Sequence, residues 1–238
     1  MRNNLTTASN TQVSIALNML RNGFDSVSAN HDISELEKHF LNENGYMKCL
    51  PAEELLSYGF EKLRVFAHVH AIYQFPTIEL LDVLSNMIGK NSCIEIGAGR
   101  GDIGRLLNIK MTDSHQQSKP QYKQHYEMIN QPLIKYPKDV EKIGYKDAIK
   151  KYRPEIVLGC WVTHRYDPQR PEAKGNIEGI DTNFVTQRAK KFIFVGNSKI
   201  HENWTLPNYS QQHAYTFEGI VSRAAQGTNF VAVFEKIK

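Results

Sequence analysis

The chain of 238 residues carries 29 Lys and Arg against 25 Asp and Glu, a formal charge of +4, with 41% hydrophobic and 23% charged residues. This is the composition of a globular protein with a core of ordinary size, and it excludes disordered, collagen-like and disulfide-built classes. No stretch approaches the roughly 20 apolar residues of a membrane span, and the cations are dispersed rather than massed into a nucleic-acid arm.

The opening MRNNLTTASNTQ has no apolar segment of the kind a secretory signal needs. From residue 11 to 90 the apolar spacing is helical. TQVSIALNMLRNGF carries a helical face over residues 11–24. ISELEKHFLNENG aligns Ile33, Leu36, Phe40 and Leu41, with Gly45 as the expected stop. PAEELLSYGFEKLRVFAHVHAIY starts at Pro51 with Glu53 and Glu54 in its first turn, and Phe75-Pro76 ends it. Thr77 is placed to cap TIELLDVLSNMIG, and Gly89 to close it.

From residue 91 the pattern changes to short strands separated by helices or loops. Strands are expected at 92–96, 109–113, 140–143, 155–160, 191–196, about 214–222 and 228–236. EIVLGC and KFIFVG are nearly continuous apolar runs, as in strands covered on both faces. The last two strands flank AAQG closely enough to require an antiparallel hairpin. The expected fold is therefore α/β: a Rossmann-like open sheet, mostly parallel, ending in an antiparallel hairpin and preceded by a helical extension over 1–90.

The cysteines (Cys49, Cys93 and Cys160) are odd in number, widely spaced and without a CxxC pair. Neither a disulfide framework nor a zinc site follows, and a cytoplasmic setting is expected. His68 and His70 stand two apart, on different sides of a helix, so no metal is expected there.

The chemistry-bearing stretch is CIEIGAGRGDIG. Its Gly99, Gly101 and Gly104 spell GxGxxG, a weak signal that several nucleotide-like ligands share. A dinucleotide site expects an acid about 20 residues on. Here Asp113 comes 14 residues after Gly99, and another acid, Glu95, precedes the turn.

The arrangement Glu95-x-Gly97-Ala98-Gly99-x-Gly101 resembles motif I of the class I S-adenosylmethionine (SAM)-dependent methyltransferases. SAM has no phosphate, so such a turn must admit a ribose and a zwitterionic tail to close approach, which glycine allows. Glu95 would accept hydrogen bonds from backbone, water or the ligand ammonium. The resemblance implies that Asp113 takes the ribose hydroxyls and that Asp147-Ala148 meets the adenine. It places Cys160-Trp161, at the end of the fourth strand, near the donor methyl. Glu155 stands where the family has Asp at the start of that strand. The resemblance covers residues 91–238, and YQFPTIELLDVLSNMIGKNSCIEIGAG is similar to a stretch of uncharacterised bacterial and phage methyltransferase-like proteins. That similarity implies that the helices before residue 90 cover the cofactor, with Tyr73 and Phe75 either facing it or packing the extension.

Two polar, aromatic segments follow the fourth and fifth strands, on the rim where open sheets bind ligands. His164 and His201 are the candidate general bases, with loop hydrogen bonding as the alternative role. Tyr73, Tyr166 and Asn197 are the candidates to line the acceptor side. GCWVTH lacks the (N/D/S)PP(Y/F/W) motif of amino-group DNA methyltransferases, and Cys160 lacks the preceding Pro of cytosine-C5 enzymes. The expected function is methyl transfer from SAM to a small-molecule or protein acceptor. The alternative is a SAM- or nucleotide-binding module without transferase activity.

Overall fold

The computed structural model describes residues 32–128, 131–202 and 213–235. The helix expected over residues 11–24 lies outside these, as do Asn203 and Trp204, which the sequence reading put in the segment after the fifth strand. No helix of the described residues is long and apolar enough to cross a membrane.

The helical extension begins with α1 (Ser34–Phe40). It stops five residues before the expected Gly45. Leu41 turns extended and pairs with Met47, and the Asn42 side chain accepts from the Asn44 and Tyr46 amides to reverse the chain. Gly45 sits inside that turn at φ +74. The single helix expected after Pro51 is two, α2 (Ala52–Ser57) and α3 (Phe60–Val69). Gly59 separates them at φ +83, a conformation no helix contains. In α4 (Ile78–Ile88) both expected ends form. The Leu80 amide donates to Thr77 Oγ1 at 3.2 Å, and Gly89 closes the helix at φ +57.

The sheet has seven strands in the order β3-β2-β1-β4-β5-β7-β6. They are β1 (Cys93–Ile96), β2 (Lys110–Asp113), β3 (Glu141–Lys142), β4 (Ile156–Cys160), β5 (Lys191–Asn197), β6 (His213–Tyr215) and β7 (Asn229–Glu235). The first five pair in parallel, and β7 is antiparallel to both β5 and β6. Among the described residues four α-helices connect them: α5 (Asp102–Leu106), α6 (Pro120–Met128), α7 (Tyr145–Tyr152) and α8 (Thr182–Arg188). The fold is thus Rossmann-like α/β, with the strand order reversing between β1 and β4, where such sheets open a crevice.

Side-chain alternation sorts the core. Val157, Phe192 and Phe194 face α7 and α8 with Ile94, Ile96, Ala148, Ile149, Val185 and Phe234. Ile156, Leu158, Ile193 and Val195 face the other way, against Leu80, Leu84 and Ile88 of α4 and Ile103 of α5. Burial on both faces explains the unbroken apolar runs. Helix α4, although part of the expected extension, packs directly on the sheet. Truncating its fully buried Leu84 would cost about 2–5 kcal/mol.

The strand expected over 214–222 is only His213–Tyr215. The chain beyond it leaves the sheet to join the extension. Val221 O accepts from the Phe75 amide at 2.9 Å and from Gln74 Nε2 at 2.7 Å, and Gly219 O accepts from the Thr77 hydroxyl. Val221 then packs into the cluster of Leu36, Phe40, Leu55, Phe66 and Phe75. Its apolar side chain is satisfied there rather than in a ladder.

Candidate functional site

The turn after β1 places Gly97, Gly99 and Gly101 all in the left-handed region, at φ +61, +55 and +69. A Cβ on Gly97 would also stand 2.6 Å from Val162 Cγ1, so this position admits no side chain. Gly104 serves packing instead. A Cβ there would lie 2.5 Å from Glu95 Oε2 and 2.6 Å from Met111 Cγ. Its absence lets α5 settle on the strands, and the Gly104 amide donates to Glu95 Oε2 at 2.9 Å.

Glu95 is 2% exposed and lies beneath the turn. Burial pushes its carboxyl up to about 8, against the Gly104 amide, and neighbouring Asp102 and Asp113 raise it further. It is therefore largely protonated at neutral pH. Of the roles expected for it, the structure displays the backbone-acceptor one.

Asp113 ends β2 and reaches the same turn. Its Oδ2 accepts from the Gly99 amide at 2.9 Å and its Oδ1 from the His115 amide at 2.7 Å. Burial raises its pKa, opposed by those two amides and by the Tyr136 hydroxyl. A carboxylate has about four lone-pair sites, so accepting capacity remains.

Turn and acid both line a cleft of about 500 Å³, a size usual for small-molecule sites. Tyr136, Tyr145 and Asp147 line it, as do Tyr73, Gln74, Cys160, Trp161 and Arg165. Asp147 is exposed on the rim, 3.5 Å from Lys150. Ala148 lies on the inward face of α7, fully buried against the sheet, and is not among the residues that line the cleft.

The extension is fastened beside the turn. Asp102 Oδ1 accepts from the Met47 amide at 3.0 Å, and Arg100 spans from Asp102 Oδ2 to Gly45 O at 2.8 Å each. Arg105 pairs with Asp139 and lies 3.8 Å from the Tyr46 ring centre. These contacts bring residues 71–74 over the end of β4. There Trp161 adopts φ +57. Its amide donates to Val195 O, its Nε1 donates to Gln74 Oε1 at 3.2 Å, and its ring sits 5.9 Å from Tyr73. Tyr126 hydrogen-bonds Tyr73, and burial with that neighbour raises its hydroxyl pKa. Cys160 borders the cleft, and burial with neighbouring Glu95 holds its thiol well above its ordinary pKa.

Four expected residues fall elsewhere. His164 and His201 line an adjacent hollow with His125, Lys174 and Lys199, not the cleft. His164 Nε2 lies 3.0 Å from Ala173 O, and His201 Nδ1 lies 3.0 Å from the Asn197 backbone. Burial pushes His201 down to about 4, so its ring is neutral near pH 7. Both hydrogen-bond within their own loops. Tyr166 is exposed and outside the cleft, its amide donating to Asn176 O. Asn197 is fully buried, with Oδ1 accepting from the Lys199 amide and Nδ2 donating to Asn229, so it closes the β5 end rather than facing a ligand. Conversely Arg100, Tyr126 and Tyr136 line the cleft without having been singled out, since a lone Arg in a glycine turn and scattered tyrosines carry no spacing signal. Among the described residues no group of three or more His, Cys, Asp or Glu is placed to hold a metal.

No protein-family model and no curated protein sequence matches the chain. Among solved structures it is similar to TehB from Haemophilus influenzae, with TM-score 0.33 and 9% identity over 67% of this chain. It spans 62% of that chain, less than two thirds. It is also similar to a mutant of MtNAS, with TM-score 0.36 and 10% identity over 78% of this chain and 69% of that one. At that level of likeness neither assigns a family or an activity.

Proposed function

We propose that this chain is a SAM-dependent methyltransferase that binds its donor across the glycine turn and acts on a small molecule admitted beneath the extension. The observation that carries the reading is the hydrogen bond from the Gly99 amide to Asp113 Oδ2. It joins the turn after β1 to the acid ending β2, at the reversal of strand order, on the wall of the cleft.

The residues present suit the donor. Gly97 and Gly99, both at positive φ, leave bare backbone along the cleft, fit for a ribose and an amino-acid tail. Asp113 keeps accepting capacity for a ribose hydroxyl, and Tyr136 and Tyr145 offer flat walls for a base near Asp147. When bound, SAM supplies a methyl group activated by its sulfonium. The chain's part is then to position an acceptor at the β4 end and keep water out, a role that by itself accounts for large rate effects. The early acid at Asp113 and the buried Glu95 weigh against a dinucleotide.

The placement of both histidines outside the cleft favours a second reading, donor binding without transfer. Incubation of the full chain with methyl-labelled SAM and a fractionated small-molecule extract separates the two. Label appearing in a product with stoichiometric S-adenosylhomocysteine (SAH) supports transfer. SAH affinity with no labelled product in any fraction supports the binding module.

A further inference from the structure

The hollow beside the cleft holds about 580 Å³ and shares Gln116, Tyr126, Thr163, Asn176 and Ile177 with it as walls. The segment after β4 forms part of the partition: Arg165 lines the cleft, His164 the hollow and Thr163 both. Trp161 on the cleft and His201 on the hollow meet edge to face, with ring centres 5.6 Å apart. The partition is firmly held. His201 is 8% exposed, and the Asn197 amide donates to its Nδ1 at 3.0 Å. His164 Nε2 donates to Ala173 O, and its ring lies so close to Gly175 that a Cβ there would stand 2.9 Å away. Next to that glycine, Lys174 sits at φ +60, ψ −132. A residue with a Cβ rarely adopts this backbone, and such strain persists where the surroundings enforce it, often at functional sites.

The two compartments differ in charge. Acidic side chains outnumber Lys and Arg along the cleft. Along the hollow, Lys174 and Lys199 stand against Glu202, the one acid among the described residues that line it. Lys199 Nζ pairs with Glu202 Oε2 at 2.8 Å, and Lys199 first, then Lys174, holds that carboxyl below its ordinary range. Two ammonium groups thus share one carboxylate, and one positive charge is left over. Such a surplus in a concave site suits an oxyanion. A carboxylate brings two oxygens and one charge. A phosphate monoester brings three terminal oxygens and about −1.5 to −2 charge, enough to engage both lysines.

We propose, resting on the methyltransferase reading, that the hollow is the acceptor subsite and that the acceptor is a small phosphate monoester. The cleft has the size that one small ligand fills, so with the donor on the glycine turn the bulk of an acceptor belongs in the adjoining hollow. Lys174 and Lys199 hold the phosphate as an anchor. The rest of the molecule passes Thr163 and Tyr126, the shared walls, to bring its nucleophile to the donor. The phosphate itself takes no part in the transfer.

Calorimetry on the SAH-loaded full chain tests this with phenyl phosphate and, as its uncharged counterpart, benzyl alcohol. The expected result is one-to-one binding of phenyl phosphate and none of benzyl alcohol. Lys199→Ala should weaken phenyl phosphate at least tenfold with SAH affinity unchanged. Lys174→Gly should weaken it as much while leaving the urea midpoint no lower, because glycine adopts that backbone without strain. Lys190→Ala removes an equal charge beside Glu155, at the opposite ends of the strands, and should change nothing. No phenyl phosphate binding to a protein that binds SAH would overturn the proposal. So would affinity unchanged in both Lys174→Gly and Lys199→Ala, or an equal loss in Lys190→Ala. A single-stranded oligonucleotide that binds more tightly than phenyl phosphate through the same lysines would overturn the small-molecule assignment. Phenyl phosphate binding through these lysines without any SAH binding would remove the methyltransferase reading, and the acceptor role with it, and leave an anion site standing.

Discussion

Replacing Glu95 by Gln should flatten the dependence of folding stability on pH. The carboxyl is 2% exposed, and burial lifts it from an ordinary 4.5 to about 8. The folded chain therefore binds this proton more tightly than the unfolded chain. The contribution is complete below about 4.5 and is lost as pH rises toward about 8. A displacement of that size corresponds to on the order of 4–5 kcal/mol. Gln has the shape of the protonated acid and keeps a carbonyl for the Gly104 amide. Urea unfolding of both proteins between pH 5 and 8.5 reads the difference. The wild type should lose several kcal/mol across that window, and Glu95→Gln should hold nearly constant apart from slopes shared by both. Parallel curves would show that Glu95 is ionised in the folded chain and that the turn rests on a carboxylate.

Asp113→Ala should weaken SAH binding by about 1–3 kcal/mol, because charged hydrogen bonds to the ligand and the brace on Gly99 vanish together; titration calorimetry reads it. Asp102→Ala should destabilise the fold by about 3 kcal/mol, since it strands the largely buried Arg100 and frees the Met47 amide, and a lower urea midpoint is the sign. His164→Ala should leave methyl transfer within a fewfold of wild type, as its ring lines the neighbouring hollow; a loss beyond a hundredfold would return it to the chemistry.

What the sequence made legible was local. The apolar runs of β4 and β5, the Thr77 cap, the Gly89 stop and the glycine turn each depend on neighbours a few residues away, and each is written in consecutive letters. What it hid was settled at long range. Asp102 reads as an acid in a helix's first turn, yet it holds an amide 55 residues earlier. Val221 sits in a run with strand composition, yet the extension's core recruits it across 146 residues from Phe75. Rim position alone suggested His164, His201, Tyr166 and Asn197 as ligand-facing. Their side chains turn instead to backbone, loop neighbours or solvent, a choice that no spacing encodes. Glu95 and Asp113 were singled out by their order around the glycines, and that same order brings both carboxylates onto the turn.

The central claim concerns which nucleotide-like ligand the turn accepts. Isothermal titration of the full chain with SAH and, separately, with NAD addresses it most directly. The account predicts saturable one-to-one SAH binding in the micromolar range, weakened in Asp113→Ala, and no heat from NAD. Saturable NAD binding without SAH binding would contradict it.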